Sequence, residues 1–339
     1  MKIPITKPVF DDADRAAIAA PLDTGWVVQG PHVAAFEARF AAYTGGAHAV
    51  ACSSCTTGLH MALAASEVGP GDEVLVPAFT WVASANAALY CGATPVLCDV
   101  DLDTFNVNVD DLAQRITPRT RAMIPVHLFG LPADMNRLMP LADAHDLVIV
   151  EDAACGLDAR IDGRHVGTYG PFGAFSFHPR KAITTGEGGM VLTDAPRRDA
   201  LLRALRDHGA STSDLLRHGS KQAYLLSAFN LLGFNYRMTD FQGALGVSQM
   251  DKVAWIHTQR TARARRYDAL LAGLDWLRTP KVPAGWTHGY QSYVCLFAPE
   301  EPAFARLETL RDRRNALMAA LEADGVQTRQ GTHAVHTLG

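Results

Sequence analysis

The sequence predicts an α/β protein: a large domain with a mostly parallel sheet covered by helices, and a smaller α+β C-terminal domain. Three observations predict it. Short apolar strands alternate with helical segments of about ten residues through the first two-thirds, the pattern of a sheet buried on both faces. The chain has 339 residues, 48% of them apolar and only 19% charged, which supports a sizeable core and excludes a disordered chain. From Thr239 onward the pattern changes to long helices with few strands.

Thr56–Ser66 reads as a buried helix, apolar on nearly every face. Gly69-Pro70-Gly71-Asp72 is a turn, Val74–Val76 a strand, Ala83–Tyr90 a helix and Thr94–Cys98 the next strand. Val109–Ile116 is helical and Ala122–Val126 a strand. Asp134 caps a helix that runs to about His145. Leu147–Val150 forms a strand that ends at Glu151 and Asp152, and Ala174–Phe177 and Met190–Leu192 supply two more. Thr239 to about Leu271 reads as one long helix or two in tandem, carrying Arg260, Arg263, Arg265 and Arg266. A strand over Tyr290–Leu296 and a helix from about Glu301 to Asp324 follow. The division falls at 1–250 for the large domain and 251–339 for the small one.

Lys plus Arg is 31 and Asp plus Glu is 35, a formal charge of −4, without the basic footprint of nucleic-acid binding. Residues 41–66 and 74–98 lack any charged side chain, yet glycine, proline, asparagine and serine interrupt them. They read as core turns and strands, not membrane spans. The Met1-Lys2-Ile3-Pro4 start lacks the regions of a signal peptide, and six irregularly spaced cysteines do not form a secreted disulfide framework. The expectation is a soluble cytoplasmic protein.

In open parallel sheets, ligands bind beyond the carboxyl ends of the strands. Three features fall there. Ser53-Ser54-Cys55-Thr56-Thr57-Gly58 precedes the buried helix; small residues and unpaired amides at a helix N-terminus suit a phosphate, although the same residues also make an ordinary cap. Cys52 and Cys55 form a C-x-x-C pair without a second pair, so structural zinc is not expected and no metal is assigned; a redox pair is the other reading. Asp152 ends an apolar strand, where a buried carboxylate needs a cation or a local cap. Lys181 follows a strand and precedes the Gly186-Glu187-Gly188-Gly189 turn; it is either a Schiff-base nucleophile or a surface lysine. Together, a phosphate cup, a carboxylate for a ring nitrogen and a Schiff-base lysine are what pyridoxal phosphate requires. Trp81, after Pro77-Ala78-Phe79-Thr80, is placed to stack on the ring or to fill the core. Dinucleotide, Walker and nucleophile-elbow motifs are absent.

At this point the sequence resembles the sugar-nucleotide aminotransferases of the DegT/StrS type, a branch of the fold type I pyridoxal-phosphate enzymes. The resemblance runs from Pro8 to the last residue. It rests on Gly25-Trp26 with Gln29-Gly30-Pro31, Ser54-Cys55-Thr56-Thr57-Gly58-Leu59-His60, Pro77-Ala78-Phe79-Thr80-Trp81, Val126-His127-Leu128-Phe129-Gly130 and Glu151-Asp152-Ala153-Ala154. It continues through Phe175-Ser176-Phe177 and Lys181 to Gly189, Asn235-Tyr236-Arg237-Met238-Thr239-Asp240 and Gly331-Thr332-His333-Ala334-Val335-His336.

The resemblance implies an aspartate-aminotransferase-like fold and a role for each matching residue. Lys181 would form the Schiff base and move the proton between substrate and cofactor. Asp152 would pair with the pyridinium, while Thr56, Thr57 and Ser176 hold the phosphate and Trp81 stacks on the ring. Asn235 would reach the phosphate of a neighbouring subunit, implying a homodimer with shared sites. Tyr236, Arg237, His333 and His336 would face the substrate. L-glutamate would convert pyridoxal phosphate to pyridoxamine phosphate, which would then aminate a nucleotide-linked keto sugar, in polysaccharide or antibiotic biosynthesis. Three departures stand out. Cys55 replaces a common Gly, Cys155 replaces the Gln or His near the cofactor's ring hydroxyl, and relatives usually extend past the point matching Gly339, so the small domain is expected to be incomplete. Two alternatives remain. A pyridoxamine-phosphate-dependent sugar dehydratase would carry His in place of Lys181. A non-catalytic cofactor-binding sensor would use the Arg260–Arg266 cluster as a docking surface rather than as a solvated helix face.

Overall fold

The computed structural model describes residues 2–211 and 226–338. Its elements are α1 (Asp12–Thr24), α2 (Pro31–Thr44), β1 (His48–Cys52), α3 (Cys55–Ala65), β2 (Glu73–Pro77), β3 (Phe79–Thr80), α4 (Ala83–Tyr90), β4 (Thr94–Cys98), α5 (Val109–Gln114), β5 (Thr120–Met123), α6 (Met135–Ala144), β6 (Val148–Asp152), β7 (Arg160–Ile161), β8 (Arg164–His165), β9 (Phe172–Ser176), β10 (Gly189–Thr193) and α7 (Pro196–Arg206). Then come α8 (Asp240–Met250), α9 (Val253–Leu271), β11 (Leu277–Arg278), β12 (Trp286–Thr287), β13 (Leu296–Phe297), α10 (Leu307–Ala323) and β14 (His333–Ala334).

Seven strands form the main sheet in the order β1-β10-β9-β6-β5-β2-β4. β10 runs antiparallel to β1 and β9, and the remaining pairs are parallel. This is the predicted α/β class. Strand alternation sends side chains to two separate cores. Val50, Val74, Val76, Val150 and Val191 pack with Leu59 and Leu63 of α3 and Leu202 of α7. On the other face, Ala49, Ala51, Phe175 and Leu192 meet Phe36 and Phe40 of α2, while Leu75, Met123 and Ile149 meet Leu112 and Leu138. Small antiparallel pairings complete the fold: β11 with β13, β12 with β7, and β14 with β3.

Local chemistry sets the helix boundaries. Asp11 with Asp14 and Thr239 with Gln242 form capping boxes, and Asp134 accepts from the Arg137 amide. Pro31 opens α2, while Gly25 and Gly45 close α1 and α2 at positive φ. β1 lies at the edge of the sheet, where unpaired backbone groups invite foreign strands. Side chains cover that edge: Arg203 and Arg206 donate to the carbonyls of Ala49 and Ala51 at 3.0 and 2.7 Å, and Glu37 accepts from the Ala51 amide at 2.8 Å. Glu37 in turn bridges Arg203 and Arg206 at 2.8 and 2.7 Å.

The expected strand at Ala122–Val126 begins and ends earlier, at Thr120–Met123, because Pro125 has no amide to give the ladder. The expected strand over Tyr290–Leu296 is mostly loop. Tyr290 has φ 45°, and Gly289 and Ser292 donate to Gly130 and Phe129 rather than to a neighbouring strand; pairing begins only at Leu296. The long C-terminal pattern resolves into two helices, α8 and α9, interrupted at Asp251-Lys252. Helices α1, α2 and α7 and strand β1 had no counterpart in the sequence reading.

The Glu151 carboxylate is wholly buried and accepts from the amides of Gly167, Tyr169 and Gly170 at 2.6, 2.7 and 2.8 Å. His127 Nδ1 accepts from the Ala133 amide at 3.0 Å, so its Nε2 proton faces Glu151, also at 3.0 Å. Glu151→Ala leaves these donors unpaired, and a loss of about 3–5 kcal/mol in urea unfolding is expected, with Glu151→Gln falling between it and the parent.

His165 and His288 are also buried, and loss of hydration pushes both imidazoles down to about 3. The unfolded chain takes up these protons below its ordinary value of 6.5, while the folded chain does not until about 3. Stability is therefore expected to fall as pH drops through that window. Urea midpoints across it should show a shallower slope in His165→Gln than in the parent.

Candidate active site

The carboxyl ends of β1, β6 and β9 and the amino end of β10 meet at one end of the sheet. Register puts the pieces together: Gly189 of β10 pairs with Cys52 on one side and Ser176 on the other, and β6 delivers Asp152 beside Ala174. Asp152 is 4% exposed. Ser84 of α4 donates to its Oδ2 at 2.7 Å and the Ala154 amide to its Oδ1 at 3.1 Å. Thr80 lies 3.0 Å from Ser84; since the Ser84 proton points to Asp152, Thr80 donates to Ser84. No described ion pair includes Asp152. A buried carboxylate served only by neutral donors is costly unless a cation joins it, so Asp152 is a residue that could hold a protonated ring nitrogen.

Lys181 lies in the turn after β9, and its Nζ donates to Cys155 Sγ at 3.2 Å. Burial favours the neutral amine, but Cys155, Cys55 and Asp152 together hold the Lys181 ammonium above the ordinary lysine range. Cys55 packs beneath the site, its Sγ 3.5 Å from the Ala174 carbonyl and 4.0 Å from Asp152 Oδ1; burial and Asp152 raise its thiol. Cys52 points instead to the Ser54 carbonyl at 3.2 Å, and burial raises it to about 11. Both are free, buried thiols, each with its own acceptor, unlike the low-pKa thiol of a C-x-x-C redox site.

The Ser53–Gly58 stretch does form a helix start. Ser54 caps α3, and Thr57 closes the box: its amide donates to Ser54 Oγ at 3.2 Å and its Oγ1 accepts from the Ser54 amide at 3.1 Å, while the Thr57 hydroxyl proton goes to the Ser54 carbonyl at 2.8 Å. Thr57 is thus engaged in the cap. The Thr56 hydroxyl and the amides of Cys55 and Thr56 have no partner among the described contacts, which leaves them available to an anion. Ser176 Oγ accepts from the His178 amide at 3.4 Å. A cavity at the opposite end of the sheet, lined by Arg160 and Arg164 with a volume of about 510 Å³, shares no residue with this site.

The remaining candidates divide. The Tyr236 carbonyl accepts from the Ser53 amide at 2.8 Å, which brings the 235–237 segment against the cup. The side chains there have local partners: Tyr236 OH meets His60 Nδ1 at 3.0 Å, and Arg237 pairs with Asp207 at 2.5 Å. Asn235 is exposed at the rim. Pairing of β14 with β3 carries His333 to Trp81, ring centroids 5.1 Å apart, and Trp81 stays 53% exposed. His336 is exposed and has no described side-chain contact. The sequence reading missed Ser84, one helical turn beyond Thr80, because a lone serine in an alanine-rich helix carries no signal.

Residues 8–338 match the DegT/DnrJ/EryC1/StrS aminotransferase family. A GDP-perosamine synthase of Caulobacter vibrioides is 37% identical over 339 residues, covering 99% of this chain and 86% of that protein. Among solved structures, the aminotransferase TlmJ of Streptoalloteichus hindustanus superposes with a TM-score of 0.89 at 31% identity, over 99% of this chain and 87% of its own. DesV of S. venezuelae, solved with a ketimine intermediate, gives 0.81 at 35% identity over 95% and 82%. Spr1654 of Streptococcus pneumoniae, described as a sugar aminotransferase and solved in a PMP form, gives 0.90 at 28% over 99% and 87%.

The close approach at Gly189 offers a test of the cup. A Cβ there would fall 2.4 Å from the Ser54 carbonyl and 2.6 Å from the Cys55 amide. Gly189→Ala is expected to push the start of α3 out of place, at about 1–3 kcal/mol of stability. A thermal melt should show the loss, and a titration with pyridoxal phosphate should show weaker binding than in the parent.

Proposed function

The chain belongs to the DegT/DnrJ/EryC1/StrS aminotransferase family, and we propose that it moves an amino group from L-glutamate to a nucleotide-linked keto sugar with pyridoxal phosphate as cofactor. The carrying observation is the convergence of buried Asp152, with only neutral donors, and Lys181 at one end of the sheet. The likeness to a GDP-perosamine synthase supports a nucleotide-linked sugar, and the PMP and PLP forms of Spr1654 support the cofactor.

When bound, pyridoxal phosphate supplies an aldehyde for the donor amine and a ring that accepts the electron pair released at the reacting carbon. The protein's part is holding and proton transfer. The Cys55 and Thr56 amides, the Thr56 hydroxyl and Ser176 would take the phosphate, with Thr57 fixing the helix start that aims them. Asp152, oriented by the Thr80–Ser84 chain, would hold the proton on the ring nitrogen. Lys181 Nζ would bind the cofactor, take the proton from the donor α-carbon and return a proton to the sugar carbon. Cys155, 3.2 Å from that amine, would lie beside the ring hydroxyl. Trp81 and His333 would form the wall over the ring, with His336, Tyr236 and Arg237 further toward the sugar. Exposed Asn235 would serve the phosphate of a second copy, making the working unit a homodimer.

A visible spectrum of the purified protein with added pyridoxal phosphate, before and after L-glutamate, tests this reading. A lysine-dependent visible band that glutamate bleaches is expected. Lys181→Ala should lose the band and at least about a hundredfold in turnover. A bleaching reaction that survives in Lys181→Ala would reject the assignment, and a wild-type band indifferent to glutamate would reject glutamate as the donor.

A further inference from the structure

The arginine cluster of α9 is not one surface. Arg263, Arg265 and Arg266 are exposed, and Arg263 donates back to Gln259 at 2.8 and 3.0 Å. Arg260 falls on the other face, in line with buried Val253, Ile256 and Ala264 at spacings of three and four residues.

Its guanidinium has gone into the protein without a carboxylate. No described ion pair includes it, and Cys155 and Asp158 act on it only from beyond pairing distance. It donates instead to three backbone carbonyls: Lys181 at 3.1 Å, Tyr290 at 3.2 Å and Gln291 at 3.4 Å. Drawing a cation even partly out of water is costly, and an apolar side chain would satisfy the packing of this face at lower cost. What the charge achieves is a hold on the lysine turn. That turn is neither helix nor strand, and the Lys181 amide is tied only locally, to the His178 carbonyl at 2.8 Å. From outside, Arg260 holds the carbonyl of Lys181, and Gln291 Nε2 holds the carbonyl of Arg180 at 2.9 Å. The segment that supplies Gln291 is itself seated: Gly289 and Ser292 donate to Gly130 and Phe129 at 2.7 and 3.2 Å, and His288 stacks on Tyr290 at 4.1 Å.

We propose that Arg260 is a positioning residue for Lys181, tying the lysine's main chain to the 288–292 segment so that the amine's aim depends on how that segment is seated. The proposal rests on the role given to Lys181 above. Its energetic logic is geometric, because a misplacement of about 1 Å in a reacting group costs about a hundredfold in rate.

The test compares the full chain with Arg260→Met, Arg260→Lys, Arg260→Ala and Gln291→Leu. The first readout needs no cofactor: amide hydrogen exchange in the peptide spanning residues 179–183. Exchange is expected to rise about tenfold or more in Arg260→Met and Gln291→Leu, with melting temperatures close to the parent's. The second readout is the glutamate reaction of the pyridoxal-phosphate-loaded protein. There kcat should fall about 10–100-fold in Arg260→Met while KM changes less than about threefold, Arg260→Lys should recover part of the loss, and added guanidinium ion should restore Arg260→Ala. Unchanged exchange with kcat within about twofold of the parent would overturn the proposal. So would a loss of kcat that follows the melting temperature and is not rescued by guanidinium, which marks a packing residue only. A wild-type protein that ignores glutamate would count against the donor assignment, and the exchange measurement would still decide the clamp.

Discussion

The end of β6 carries two adjacent carboxylates that strand alternation sends to opposite faces of the sheet. Glu151 turns toward the 167–170 loop and takes three backbone amides and the His127 ring proton. Asp152 turns toward α3 and α4 and takes Ser84 and the Ala154 amide. The difference in satisfaction separates structure from chemistry. Glu151 is saturated with donors and fixes the approach to β9, and with it the turn that carries Lys181. Asp152 is held in orientation by neutral donors, and among the described residues no cation bonds to it directly, the Lys181 ammonium acting on it only from a distance. A saturated carboxylate on one side and a carboxylate served by neutral hydrogen-bond donors on the other let the site be rigid and still attract a cation.

The cup is tied to the same frame by backbone contacts. Arg206 supports edge strand β1 through the Ala51 carbonyl, and its own carbonyl accepts from the Tyr236 amide at 3.0 Å. Tyr236 then accepts from Ser53, immediately before the α3 cap. The buried Glu37–Arg206 pair, with half-exposed Arg203 beside it, therefore protects the sheet edge and holds the loop from which the unpartnered Cys55 and Thr56 amides project. Buried ion pairs add little net stability, but breaking one leaves an uncompensated charge. This one fixes register at an edge where slippage would turn Cys52 and the cup to the wrong face.

How much was legible depended on whether the signal was local. Ala83–Tyr90 and Thr94–Cys98 were placed to the residue, and α3 to within one, because apolar runs bounded by turns or caps are short-range signals. Strand β1 was lost inside an apolar stretch that has no turn between α2 and α3 except Gly45-Gly46. Helix α7 was missed because its arginines disguise an inward face that depends on Glu37, far away in sequence. The Tyr290–Leu296 run has the composition of a strand, but its hydrogen bonds go to the 128–130 turn and to Arg260, a choice made by tertiary neighbours.

The sequence alone determined the α/β class, the family resemblance and the chemically distinctive residues, Lys181, Asp152 and the Ser53–Gly58 run, because these are set by local composition and by residue types that few other roles require together. Only the tertiary structure decided how they are used. It engaged Thr57 in the cap and left the Thr56 hydroxyl without a described partner, gave Arg237 to Asp207 and Tyr236 to His60, and set Cys155 against the lysine. It also divided one arginine cluster into three solvated side chains and one half-buried side chain bonded to the Lys181 carbonyl. These outcomes depend on which carbonyls, carboxylates and rings meet after residues tens to hundreds of positions apart are packed together, and a buried polar group takes whichever partner the packing leaves within hydrogen-bond reach.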